Sequence, residues 1–106
     1  MISITEFSKI ELVIGRIISA EKIPGYDKLL KLAVDIGDKT IQIVSGIAKD
    51  YKPEELIEKQ IVVVKNLEPK TIANIESQGM LLAANNKGRI VLIAPETKTK
   101  TGIRVI

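Results

Sequence analysis

Alternating apolar and polar positions dominate the first half of the chain. From Glu11 to Lys22 they predict one long strand. Leu12, Ile14, Ile18 and Ala20 share one face with Arg16, while Val13 and Ile17 lie on the other, with Gly15 between them. Apolar residues on both faces and a central glycine suit a strongly bent strand that serves two packing surfaces, as in a small barrel. Ile23-Pro24-Gly25-Tyr26-Asp27 is a turn by composition. Leu30, Leu32, Val34 and Ile36 then alternate through a second strand, and Gly37-Asp38-Lys39 closes a hairpin to a third, Thr40 to Ser45. Ahead of these, Ser3-Ile4-Thr5-Glu6 has capping-box spacing and predicts a short helical turn that carries Phe7 inward.

After the third strand the period changes. Lys52-Pro53-Glu54-Glu55-Leu56-Ile57 has proline at a first helical position and acid in the first turn, so it predicts a short helix. Gln60 to Lys65 is a β-branched run, a buried fourth strand. Gly79 to Ala84 resumes extended structure, Asn85-Asn86-Lys87-Gly88 makes a turn, and Ile90 to Ile93 completes a last hairpin. The order predicts an all-β, five-stranded OB-fold barrel with a short helix between strands 3 and 4. A small sandwich competes, but it would not call for that helix.

At 106 residues, 45% of them hydrophobic, residues 1–106 fit one domain with one core. Cysteine and histidine are absent, which removes disulfides, thiolate nucleophiles, the commonest general base and the commonest zinc ligand. Glu54-Glu55 is explained by the helix start, and no Gly-Lys-Ser/Thr phosphate loop occurs. The expectation is a protein without catalytic residues, cofactor or metal. Arg16 and Glu21 interrupt the longest apolar run and the first residues lack a secretory pattern, so the cytoplasm is expected.

Charge adds a direction. Residues 1–58 hold 8 basic and 10 acidic side chains, whereas residues 59–106 hold 8 basic and 3 acidic, a balance of +5. Solvated lysines on a soluble strand protein give the same tally. An anionic partner for the second half is the sharper reading. OB barrels commonly stack bases on aromatic rings, but Phe7, Tyr26 and Tyr51 are the only aromatics. A basic aliphatic surface would instead follow the phosphates and shape of a folded RNA.

The second half also contains a polar ramp into a strand, "NLEPKTIANIESQGMLLAA", Asn66 to Ala84. With "FSKIELVIGRIISAEKIPGYDKLLKLAVDIG" and "IVSGIAKDYKPEELIEKQIVVVKNLEP", it resembles the tRNA-binding domain family over nearly the whole chain. That family includes free-standing tRNA-binding proteins and domains appended to methionyl-tRNA synthetases, to the β chain of phenylalanyl-tRNA synthetases and to synthetase cofactors. The resemblance implies an OB-fold homodimer that grips the outer corner of tRNA with little sequence preference. It also implies service to a methionyl-tRNA synthetase catalytic chain in trans.

The resemblance places Asn66, Lys70, Ser77, Gln78 and Met80 against tRNA, with Ser45-Gly46-Ile47 in the neighbouring loop and Lys28 and Lys31 at basic positions on and before the second strand. Lys70 would pair with phosphate, and Ser77 and Gln78 would donate to sugar or base edges. Their competing reading is a loop satisfying its own backbone. Met80 would cover an exposed base or else serve the core, and Lys28 and Lys31 would contact RNA or stay solvated. Glu68, Thr71 and Asn74 depart from the basic residues and glycine frequent in relatives. A chaperone branch of the same family, holding unfolded polypeptide on apolar grooves, is the alternative. Apolar terminal segments, Met1 to Ile4 and Gly102 to Ile106, are expected to pack, either in a dimer interface or on their own barrel.

Overall fold

The computed structural model describes residues 1–106. In chain order its elements are α1 (Ile4–Phe7), β1 (Leu12–Ile23), β2 (Tyr26–Asp35), β3 (Thr40–Ser45), α2 (Pro53–Leu56), β4 (Gln60–Val64), β5 (Lys70–Ile72), β6 (Ile75–Ser77), β7 (Met80–Leu81), β8 (Ala83–Asn86), β9 (Arg89–Leu92) and β10 (Arg104–Val105). The main sheet runs β3-β2-β1-β4-β7, with α2 between the third and fourth strands, and this is the OB-fold expected from the pattern.

β1 is the spine, because it pairs along its length with β2, β4 and β10. Its register against β2 slips between Ile17 and Ser19. A bulge of this kind turns the following residues over by one position. Val13 and Ile17 therefore enter the core, Ile18 is left exposed, and Ala20 returns to pack on the core. Strict alternation had put Ala20 on the face of Ile18, and the bulge overturns that assignment.

Leu30, Leu32 and Val34 of β2 meet Ile41 and Ile43 of β3 and Ile61 and Val63 of β4 in one aliphatic cluster. Leu56, fully buried, joins it from α2. Burying such a side chain contributes about 1.5–3 kcal/mol, enough to hold a four-residue helix that could not form alone.

Three expectations need correction. The capping box at Ser3 is present, with Ser3 Oγ accepting from Glu6 N–H (3.1 Å), but α1 buries nothing and Phe7 stays 37% exposed. Phe7 lies on the rim of an apolar hollow instead of inside. The polar ramp holds a hairpin, β5–β6, whose register is Lys70↔Ser77, Thr71↔Glu76 and Ile72↔Ile75. The extended run after Gly79 divides into β7, which joins the main sheet, and β8, which pairs only with β9.

The last residues pack on their own barrel. β10 takes the stretch of β1 edge that β2 leaves free, at Leu12↔Val105 and Val13↔Arg104. Gly102 N–H donates to Ile14 C=O (2.7 Å) just before it. Here the tail crosses the β2–β3 turn so closely that a Cβ on Gly102 would lie 2.7 Å from the Gly37 Cα. Only glycine fits that crossing.

Candidate nucleic-acid interface

The sheet path is open between β3 and β7, yet β3 lies against β6 and β7. An unpaired β3 edge would leave backbone groups without partners. Side chains supply them. Ser77 Oγ accepts from Val44 N–H at 3.0 Å, and Gln78 Oε1 accepts from Gln42 N–H at 2.8 Å. Gln78 N–H donates to Gln42 C=O at 2.8 Å, and Gln42 Nε2 donates to Glu76 C=O at 2.9 Å. The Ser77 hydroxyl hydrogen goes to Gly79 C=O (3.3 Å). The seam is thus stitched by the Ser-Gln pair where a ladder is missing.

The next residue, Gly79, passes close to the core. A Cβ there would stand 2.9 Å from Ile41 Cδ1 and 3.1 Å from Val64 C=O, so a side chain would press on both. Met80 then turns outward, 48% exposed, while Leu81 is buried. In Ser77-Gln78-Gly79-Met80, the first three positions hold the seam and the fourth faces solvent.

Beside the seam lies an open groove of about 560 Å³. It is lined by Val44, Ser45 and Gly46 at the end of β3, by Leu67, Glu68, Lys70 and Ile72, and by Ser77, Gly79 and Met80. Lys70 makes no ion pair. The β5–β6 turn that carries it has Ala73 at φ 52° and Asn74 at φ 62°. Two left-handed residues in a two-residue loop make the mirror-image turn that suits hairpins. Asparagine tolerates that conformation, so Asn74 in place of a glycine leaves the turn intact.

Of the residues expected at a site, the structure brings Ser45, Lys70, Ser77 and Met80 to this groove. Lys28 is exposed near its edge, its backbone carbonyl accepting from Ala48 N–H just beyond Gly46. Lys31 and Gln78 line a separate hollow of about 200 Å³, and Lys31 is paired with Glu21 at 2.7 Å. Asn66 lies outside both, its amide accepting from Glu11 N–H (2.9 Å) and donating to Lys9 C=O (2.7 Å). Ser77 is only 5% exposed. Ser77, Gln78 and Asn66 all engage neighbouring backbone, which is the competing reading of a loop that satisfies its own backbone. Leu67 and Ile72 were not singled out from the sequence, although both fall inside the quoted segment.

A larger hollow, about 670 Å³, lies between the β1–β4 ladder and residues 94–101. Its one arginine is matched by carboxylates. Arg16 bonds both oxygens of Glu58 (2.9 and 2.7 Å) and reaches Asp35 (3.3 Å), and Glu58, then Asp35, hold the guanidinium pKa above its ordinary value. Gln60 exchanges hydrogen bonds with the Thr99 backbone. Arg16 is thus braced, while Lys59 and Lys98, which also line the hollow, make no ion pair.

The family model described as "Putative tRNA binding domain" matches residues 12–104. The chain belongs to that family. A methionine–tRNA ligase of Archaeoglobus fulgidus is 51% identical over 98% of the chain, but that match covers only 16% of the ligase. A crystal structure of a MetRS related protein from Pyrococcus horikoshii superposes with a TM-score of 0.94 at 40% identity, covering 100% of this chain and 98% of that one. The crystal structure of the CsaA chaperone protein from Picrophilus torridus superposes at 0.92 and 31% identity, with full coverage of both chains. The groove beside the Ser-Gln seam sets an unpaired lysine, Lys70, and an exposed thioether, Met80, side by side.

Proposed function

We propose that the chain binds the outer corner of folded tRNA in the groove beside the β3–β6 seam, with little sequence preference, and serves a methionyl-tRNA synthetase catalytic chain in trans in the cytoplasm. The observation that carries this reading is the convergence of unpaired Lys70 with exposed Met80 in one groove of a tRNA-binding family member. Lys70 meets a phosphate, and Met80 covers an unstacked base or a ribose edge. No aromatic ring lines the groove, and Tyr51 is engaged elsewhere, its hydroxyl accepting from Leu92 N–H (3.0 Å), so bases are not stacked in series. In this reading any charging of methionine belongs to the partner.

Leu67, Ile72 and Met80 give the groove apolar lining, and with the likeness to a chaperone they support a second reading, the holding of unfolded polypeptide. Titration of folded tRNA, heat-denatured tRNA and an extended apolar peptide across a salt series separates the two. The tRNA reading expects folded tRNA to bind best, with log affinity falling by about 0.7–0.9 per log salt for each neutralised phosphate. Salt-independent binding, or preference for the peptide, sinks it.

A further inference from the structure

Resting on the tRNA-binding reading, we propose that Ser77 and Gln78 are positioning residues: they latch the β5–β6 hairpin to β3 and thereby set Lys70 in the groove, without touching RNA. Lys70 stands directly opposite Ser77 in the hairpin, so the latch acts one rung from the cation. The hairpin has three residues per strand and pairs with no other strand. An isolated two-stranded ribbon of that length is marginal in water. Its tie to the barrel is the set of bonds from Ser77, Gln78 and Glu76 to Gln42 and Val44. The Ser77 hydroxyl hydrogen has its acceptor in Gly79, the Gln78 Oε1 accepts from Gln42 N–H, and one Nε2 hydrogen of Gln78 goes to Glu76 Oε1 (3.2 Å), so the latch engages both side chains. When the latch opens, the hairpin frays and Lys70 leaves the phosphate.

The salt dependence of binding distinguishes a latch from a contact. A neutral hydroxyl that touched RNA would add affinity at every salt concentration and leave the slope alone, and so would a residue that merely stabilises the fold. A latch that places Lys70 changes the slope. The experiment titrates one folded tRNA transcript with the parent, Ser77→Ala, Lys70→Ala and the double variant over a salt series, and follows exchange of the Val44 amide in the free proteins. Ser77→Ala is expected to weaken binding about tenfold at low salt, as displacement of a binding group by an ångström or so can do. It should also flatten the slope by about 0.7–0.9. The double variant should be no weaker than Lys70→Ala by more than about twofold, because the two act as a unit. Protection of the Val44 amide should fall while that of Val34, deep in the β1–β2–β3 sheet, holds. A parental slope with losses that multiply means direct contact, and lost Val44 protection with parental affinity means an idle latch; either overturns the proposal. If Ser77→Ala does not fold, Gln78→Ala carries the same test through the Gln42 amide. A parent that shows no salt-dependent tRNA binding overturns both readings. A parent that binds normally while the variants give either contrary outcome overturns this one alone.

Discussion

At the residue scale, three neighbours in one segment do different work with the same polar appearance. Asn66 clasps the Lys9–Glu11 backbone, Ser77 stitches β3, and Lys70 is the one left free of an ion pair. Asn66→Ala should lower stability by about 1 kcal/mol, the net worth of its hydrogen bonds, and change tRNA affinity less than twofold, as thermal melting and titration will show. Glu68 shares the groove with Lys70 and opposes its field. Glu68→Lys should therefore tighten tRNA binding and steepen the salt slope by about 0.7–0.9, one more phosphate neutralised. An unchanged slope would put the phosphate track elsewhere. A methyl group on Gly79 would crowd Ile41 Cδ1 and the Val64 carbonyl. Gly79→Ala should cost about 1–3 kcal/mol in denaturant unfolding, the usual range for overpacking.

At the element scale, the long strands and their hairpins were legible because each buries one face and so alternates visibly: Leu30, Leu32 and Val34 announce β2. The β5–β6 hairpin was not legible. Its strands, Lys70–Ile72 and Ile75–Ser77, carry one apolar residue each at the turn, and proline, asparagine and glutamate around them read as loop. The bulge at Ile18 was hidden for another reason, since it is set by pairing with β2 and leaves no mark in composition. Site residues divide in the same way. The resemblance pointed to the segment that builds the groove and its seam, but only geometry tells an open polar group from one that completes an edge. The hairpin turn also offers a test of strain. Ala73 sits at φ 52°, where a Cβ costs about 1–2 kcal/mol. Ala73→Gly relieves that and gives back about 0.4–1 kcal/mol in unfolded-state entropy. A net gain of up to about 1.6 kcal/mol is expected in denaturant unfolding, and a loss would mean the turn is not strained.

At the scale of the whole molecule, the apolar surface is not evenly spread. Ile4, Phe7, Ile10, Val105 and Ile106 line one hollow of about 280 Å³ beside α1 and β10, and Met1 and Ile2 are exposed beside Ile4 in the chain. Ile4 is 77% exposed although it stands in a capped helix. Two segments ordered by capping and by pairing with β1, yet showing aliphatic faces to water, call for a partner. We propose that this face is the two-fold interface of a homodimer, in which α1 and β10 of one protomer meet those of the other. A second, smaller set, Val91 and Ile93 on the β8–β9 ribbon, is exposed elsewhere and competes. Light scattering at micromolar concentration should give twice the 11.6 kDa chain mass. Ile4→Asp removes no intramolecular burial, so it should yield a monomer with an unchanged far-ultraviolet spectrum, whereas Val91→Asp should leave the dimer intact. A parent that runs as a monomer ends the idea. A dimer that tolerates Ile4→Asp but falls apart with Val91→Asp moves the interface to the ribbon. Two protomers would also present two grooves, each with one lysine too few to hold tRNA tightly alone, and a dimer that engages both should lose far more affinity on dissociation than Lys70→Ala costs in a single site.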